Sequence, residues 1–233
     1  MKLVRYSQNG HSPRLGLLMS DRIADLQASV AQNLARRGVA RAEDIAAALV
    51  PQSTRAFLEG GAASQEAVAA VTEWVTVARS SVRLHAPITD PGKFICIGLN
   101  YKDHAEETGN PIPKEPPIFP KWNNTLWDPG EPVLRPRGCQ QLDWEVELGV
   151  VIGRTARYVG KEQALDYVFG YTIINDVSAR DFQFITTQWG AGKISDTFAP
   201  IGPYIADRQD IPDRKSTRLN SSHSRASRMP SSA

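Results

Sequence analysis

Glu145, Glu147 and Asp176 are carboxylates set beside strongly apolar segments. That placement is costly unless a cation neutralises them. The run Leu142-Asp143-Trp144-Glu145-Val146-Glu147-Leu148-Gly149-Val150-Val151-Ile152-Gly153 reads as a strand. Side chains alternate faces along a strand, so Glu145 and Glu147 project together while Trp144, Val146 and Leu148 take the other side. A second apolar run, Tyr167 to Ile174, ends at Asn175-Asp176 and brings a third carboxylate to a strand terminus. An all-oxygen donor set with no Cys or His cluster beside it suits a hard divalent ion, Mg2+ or Mn2+ before Zn2+. The same spacing also describes an edge strand with one solvated face, and the strand pattern alone leaves both readings open.

Two further segments carry chemistry-bearing side chains. In Asn100-Tyr101-Lys102-Asp103-His104-Ala105-Glu106-Glu107, His104 and Glu107 lie three residues apart and meet if the segment is a helical turn. A His oriented by a carboxylate is a general-base arrangement, although a surface turn with an incidental His has the same spacing. After Asp176, residues Arg180 and Gln183 follow at i+4 and i+7, which predicts one helical face holding an acid, a guanidinium and an amide. An Asp paired with Arg at a helix start is also ordinary capping. Lys193 follows Gly190 and Gly192, a pair expected to be flexible. The spacing required of a phosphate-binding P-loop is absent.

The elements that must position these groups fall into two parts. Residues 1–27 alternate short apolar segments with turn formers and predict two or three strands. Alanines and aliphatics at helical spacing predict helices from Ser29 to about Val50 and from Ser64 to about Leu84, broken by Pro51 and Gly60-Gly61. Residues 1–85 are thus expected to form a small α/β domain. Asp90-Pro91-Gly92 then punctuates the chain, and the apolar strand Lys93–Leu99 opens a main domain over residues 86–213, with Cys96 expected in its core. The proline-rich stretch Gly109–Pro120 cannot be helical and reads as a stiff connector or a wall of the site.

The formal net charge of +2 misleads about partners. Residues 1–213 carry 22 Lys and Arg against 25 Asp and Glu, and the basic excess sits in residues 214–233, a Ser/Arg-rich tail without an acidic or aromatic residue. The balance gives no support for nucleic-acid binding. The tail is expected to be disordered, and Arg214–Ala233 resembles translated sequencing-adapter DNA more than a biological terminus. No apolar stretch approaches the about 18–20 residues of a membrane span, and the N-terminus lacks the apolar core of a signal peptide. Two distant cysteines fit a reducing compartment, so a cytoplasmic location is expected.

Four ordered segments resemble the fumarylacetoacetate hydrolase family: Gly98-Leu99-Asn100-Tyr101 with Asp103, His104 and Glu107; Glu145, Glu147 and Leu148; Asn175–Asp181 with Gln183; and Gln188-Trp189 with Gly192, Lys193 and Asp196-Thr197-Phe198. The resemblance implies an α+β fold, a mixed β-sheet roll preceded by a small N-terminal domain. It implies Glu145, Glu147 and Asp176 as ligands of Mg2+ or Mn2+, and His104 with Glu107 as the dyad that activates water. Lys193 is implied as an oxyanion stabiliser, with Tyr101, Arg180 and Gln183 at the substrate. The implied reaction is cleavage of a C–C bond in a small 2,4-dioxo acid, the metal acting as Lewis acid as the enolate develops. Isomerase, decarboxylase and lyase reactions share the same logic, and the remaining alternative is an inactive, truncated protein that binds metal or oxyacid without turnover. The resemblance further implies a homodimer. It also implies that family members continue beyond residue 213, so the chain reads as a truncated copy with an incomplete sheet.

Overall fold

The computed structural model describes residues 1–101, 109 and 111–211. The chain opens with the antiparallel strands β1 (Lys2–Ser7), β2 (Arg14–Leu18) and β3 (Arg22–Asp25). These strands bury both faces: Leu3 and Leu15 pack in one core cluster, and Val4, Tyr6 and Ile23 in another on the opposite side. Helix α1 (Leu26–Arg36) starts where the Asp25 carboxylate accepts the Ala28 amide, and it stops ahead of Gly38, which adopts a positive φ of 75°. Helices α2 (Ala42–Leu49), α3 (Thr54–Glu59) and α4 (Gly61–Ala69) follow.

The predicted helices shorten here for local reasons. The first is split at Arg37–Arg41, and the second ends at Ala69, far before Leu84. Val75-Thr76-Val77 is a β-branched run that favours extended backbone, and β4 (Thr76–Ala78) and β5 (Arg83–His85) take its place.

Beyond residue 85 come β6 (Ile95–Ile97), β7 (Ile118–Pro120), β8 (Leu126–Trp127), β9 (Leu142–Asp143), β10 (Val146–Ile152), β11 (Val168–Asn175), β12 (Ser178–Ala179), β13 (Ala199–Pro200) and β14 (Ile205–Asp207). The main sheet has the order β10-β11-β14-β1-β2-β3-β4, with β5 on the remaining part of the β1 edge. Its pairings are antiparallel, whereas β13 and β8 form a separate parallel pair. The fold is α+β. Strands from both sides of residue 85 share this sheet, and Val151 and Ile205 pack with Leu3, Leu26 and Phe57 in one core cluster. The apolar strand expected over Lys93–Leu99 is confined to Ile95–Ile97, where Ile95 and Ile97 are exposed.

Gly170 marks the tightest approach between β11 and β14. A Cβ there would lie 2.2 Å from the Ala206 carbonyl oxygen, a backbone atom that cannot step aside. Gly170→Ala should therefore destabilise the protein by about 1–3 kcal/mol, the usual cost of forcing an extra carbon into a packed contact. Urea unfolding measures it, and an unchanged midpoint would refute the close-packing account.

Candidate active site

The β10–β11 hairpin builds the site. Val146 pairs with Asn175, the Asp176 amide donates to the Glu145 carbonyl at 2.8 Å, and Asn175 Oδ1 accepts the Glu145 amide at 3.0 Å. Glu145 and Asp176 are thereby held opposite each other at one end of the hairpin. Glu147, two residues along β10, lines the same cleft of about 1560 Å3. Both Glu145 and Asp176 are buried.

Two lysines neutralise this pair. Lys193 Nζ donates to Glu145 Oε2 at 3.0 Å and to Asp176 Oδ2 at 2.9 Å. Lys121 Nζ donates to Asp176 Oδ1 at 2.6 Å and to the Val177 carbonyl at 3.3 Å. Lys193 follows a 3-10 turn at Trp189–Gly192. Gly192 is buried there, and a Cβ on it would come within 2.6 Å of the Ala179 carbonyl oxygen and 2.5 Å of Gln183 Cβ. The expectation of a flexible glycine pair fails at Gly192, whose missing side chain permits close packing that fixes Lys193. Lys121 has no counterpart in the sequence reading. It extends β7, its amide donating to Phe94, and its ammonium is drawn inward by Asp176.

Arg180 completes the charged cluster, with Nη2 2.5 Å from Glu145 Oε1 and 2.8 Å from Asp143 Oδ2, and Nη1 2.9 Å from Gln183 Oε1. The predicted helical face of Asp176, Arg180 and Gln183 is not formed. Only Arg180–Gln183 is helical; Asp176 precedes β12, and the three groups converge through that turn. Tyr101 lines the cleft with its hydroxyl pKa raised, first by burial and then by the Glu147 charge. Phe119 forms part of the wall, its ring edge-on to Trp189 with centroids 5.6 Å apart. Cys96 also lines the cleft, half-buried where a core position was expected. Its thiol is pushed up to about 12, chiefly by burial and then by Asp176, which leaves it unreactive near neutral pH. His104 and Glu107 lie outside the described residues.

The electrostatics separate the three carboxylates. Burial would raise the Glu145 carboxyl, but Lys193 and Arg180 outweigh it and hold it below its ordinary value. Glu147 is instead pushed up to about 7 by burial, then by Glu145 and Asp176, with only Lys193 opposing. Among the described residues, no group of three His, Cys, Asp or Glu side chains is drawn together in metal-holding geometry, and an ammonium lies between Glu145 and Asp176. The three carboxylates supply the hard oxygen donors that suit a divalent ion, and an ion held by all three would take the place of the Lys193 ammonium between Glu145 and Asp176.

The family model of the fumarylacetoacetate (FAA) hydrolase C-terminal domain matches residues 93–231. The chain belongs to this family of enzymes. A relative from Burkholderia lata, carrying the provisional name of hydrolase, is 41% identical over 219 residues, covering 91% of this chain and 68% of its own. Among solved structures, the fumarylacetoacetate hydrolase of Exiguobacterium antarcticum matches with a TM-score of 0.64 at 30% identity, over 91% of this chain and 68% of that one. The maleylpyruvate hydrolase of Sphingobium sp. SYK-6, in complex with manganese(II) and pyruvate, matches with a TM-score of 0.63 at 28% identity over 91% and 69%. A 5-carboxymethyl-2-hydroxymuconate delta-isomerase from Mycobacterium smegmatis is similar at a TM-score of 0.62 and 28% identity over 89% and 66%. Hydrolase and isomerase chemistry both occur on this architecture.

Proposed function

We propose that the chain is a divalent-metal-dependent hydrolase that cleaves a C–C bond in a small 2,4-dioxo, acylpyruvate-like acid. The observation that carries this reading is the convergence of Glu145, Glu147 and Asp176 on one cleft, beside a buried lysine pair. The manganese and pyruvate bound by the Sphingobium hydrolase support the choice of cofactor and substrate class. Glu145, Glu147 and Asp176 would hold Mg2+ or Mn2+. The bound ion would supply Lewis-acid polarisation of the oxo-acid oxygens and offset negative charge as the C–C bond breaks.

The chain's own groups divide the remaining work. Lys121 and Lys193 fix the carboxylate oxygens, and the Lys193 ammonium also supplies positive charge where substrate oxygen becomes negative. Arg180 holds Gln183 in place, and Gln183 and Tyr101 present an amide and a phenol to the substrate. His104, which the family resemblance implies as the base, would take a proton from water, with Glu107 orienting it. Phe119 and Trp189 give the cleft an apolar stretch of wall.

The test is pyruvate release from acylpyruvates with Mg2+ or Mn2+ present. Folded, metal-loaded protein that releases no pyruvate refutes the reading. The similarity to a muconate isomerase favours one second reading, isomerisation of a 2-oxo or 2-hydroxy dioate. That activity would convert its substrate without incorporating oxygen from labelled water. A homodimer is proposed from the family likeness alone.

A further inference from the structure

A second constellation lies outside the carboxylate cleft. Ser7 ends β1 and His85 ends β5, two strands that pair antiparallel with Arg5 opposite His85 and Ser7 opposite Arg83. Side-chain alternation puts Arg5, Ser7, Arg83 and His85 on one face of this ribbon. Ser7 Oγ lies 2.8 Å from His85 Nε2, and His85 Nδ1 lies 2.7 Å from Asp128 Oδ2, in the segment after β8. Asp128 is fixed in turn by the Ala86 amide, 2.8 Å from Oδ1, and by Arg83 Nη2, 3.2 Å from Oδ2. Arg83 also reaches Glu131 at 3.0 Å.

The proton positions follow from donor and acceptor rules. Burial would raise the Asp128 carboxyl, but the Ala86 amide and His85, with Arg83 adding to them, hold it below its ordinary value. An ionised carboxylate only accepts, so His85 Nδ1 carries a proton, and with that proton alone on the ring Nε2 presents its lone pair to the Ser7 hydroxyl. The order is nucleophile, base and orienting acid, within hydrogen-bond reach at both steps. The His85 and Asp128 side chains are only 15% and 23% exposed, so solvent does not dissolve the relay, while Ser7 is half-buried and open to a reagent. None of the three lines the cleft.

Arg5 adds a feature that hydrogen bonding within the fold leaves unused. Its Nε is buried and has no acceptor, although Nη1 donates to the Ala86 carbonyl at 3.1 Å. Strand geometry sets it about 7 Å from Ser7 along the same face. Arg5 is the neighbouring cation on this face with a donor to spare, since the Arg83 guanidinium is paired with Asp128 and Glu131. Negative charge brought beside Ser7 has the uncommitted Arg5 donor as its partner on this face.

We infer that Ser7, His85 and Asp128 form a second, metal-independent hydrolytic site for carboxylic esters, with preference for an acyl group that itself carries a carboxylate. In the acylation step Ser7 Oγ adds to the ester carbonyl carbon as its proton passes to His85 Nε2. The bond from that carbon to the alcohol oxygen breaks, and the alcohol leaves with the proton. Water then attacks the acyl-Ser7 carbonyl as His85 takes its proton, and the carboxylic acid departs while the proton returns to Ser7. No oxidant or metal enters the balance. Asp128 is a positioning residue, acting through His85.

The test uses the full chain with a fluorophosphonate probe, followed by peptide mass spectrometry, and in parallel with p-nitrophenyl acetate and p-nitrophenyl hydrogen succinate. The expected result is an adduct on Ser7 that forms equally well in EDTA, and faster turnover of the succinate ester than of the acetate. His85→Gln should slow both by at least about 10²-fold, the range of a lost general base. Asp128→Asn should lower the rate and displace its pH profile. If Ser7→Ala does not fold, Ser7→Cys serves instead: iodoacetamide should alkylate its thiol quickly, and slowly when combined with His85→Gln. Absence of a Ser7 adduct in folded protein, or labelling as fast in His85→Gln, overturns the inference and leaves the relay as a structural tie. Loss of labelling in EDTA also overturns it. Because the EDTA condition silences the carboxylate cleft, failure here and failure of the C–C hydrolase reading are separately visible.

Discussion

Glu147→Ala should lower Mn2+ affinity by at least about 10²-fold, since it removes a direct ligand where changes one shell further out already cost about 10–100-fold. Glu145 and Asp176 are each engaged by an ammonium, so Glu147 is the carboxylate whose charge is least compensated within the protein. Turnover should fall with the metal. His104→Ala should separate the two properties: metal affinity is retained while turnover drops about 10²–10⁴-fold, as expected of a general base. Isothermal titration with Mn2+ and a pyruvate-release assay on both variants decide the matter. Unchanged Mn2+ affinity in folded Glu147→Ala refutes the ligand assignment, and near-normal turnover in His104→Ala returns that residue to an incidental surface role.

The same carboxylate sets a pH dependence. Glu147 has an ordinary value of 4.5 and is pushed up to about 7, so in metal-free protein a proton occupies it below neutrality. Metal binding must release that proton, and Mn2+ affinity should fall about fivefold between pH 7 and pH 6. The sign for stability follows from proton linkage. Between 4.5 and about 7 the folded state binds more protons than the unfolded chain at this site, so its contribution is fully present below 4.5 and is lost as pH rises through about 7. Glu147→Gln should flatten both dependences. Chemical denaturation of metal-free protein from pH 5 to 8 measures the second.

The carboxylates were legible in the sequence because a period of two is visible in a single strand. Glu145 and Glu147 share a face of β10 or its immediate approach, and Asp176 follows the last residue of β11. What escaped depended on pairings that no local pattern contains. Lys121 reads as an ordinary charge after a proline, and it becomes buried only because Asp176, 55 residues away, draws its ammonium inward. Arg180 and Gln183 were placed near Asp176 for the wrong reason, since helical spacing was assumed through a turn that contains β12. Ser7, His85 and Asp128 are spread over about half the chain and meet through the β1–β5 register and the bond from the Ala86 amide to Asp128. The helical spacing assumed for residues 64–84 failed where β-branched residues at Val75–Val77 took over.

Lys121→Met should destabilise metal-free protein by on the order of 3 kcal/mol, because removing one member of a buried ion pair leaves Asp176 with a single ammonium and an unpaired oxygen. The Lys121 side chain is 0% exposed and Asp176 is 7% exposed, so water cannot replace the lost ammonium cheaply. Methionine keeps the stem's packing against Phe198, whose ring centre lies 5.9 Å from Nζ, and this isolates the charge from the volume. Lys193 still bonds Asp176 Oδ2, but Oδ1 is left without a donor. If the cleft takes a divalent ion, Mn2+ can supply the missing positive charge to that freed oxygen. The variant's melting temperature should therefore rise more with Mn2+ than the unmodified protein's does. A loss of stability that Mn2+ leaves untouched would mean that Lys121 compensates Asp176 for folding alone and that Asp176 is no ligand. An absence of destabilisation would instead remove Lys121 from the charged centre.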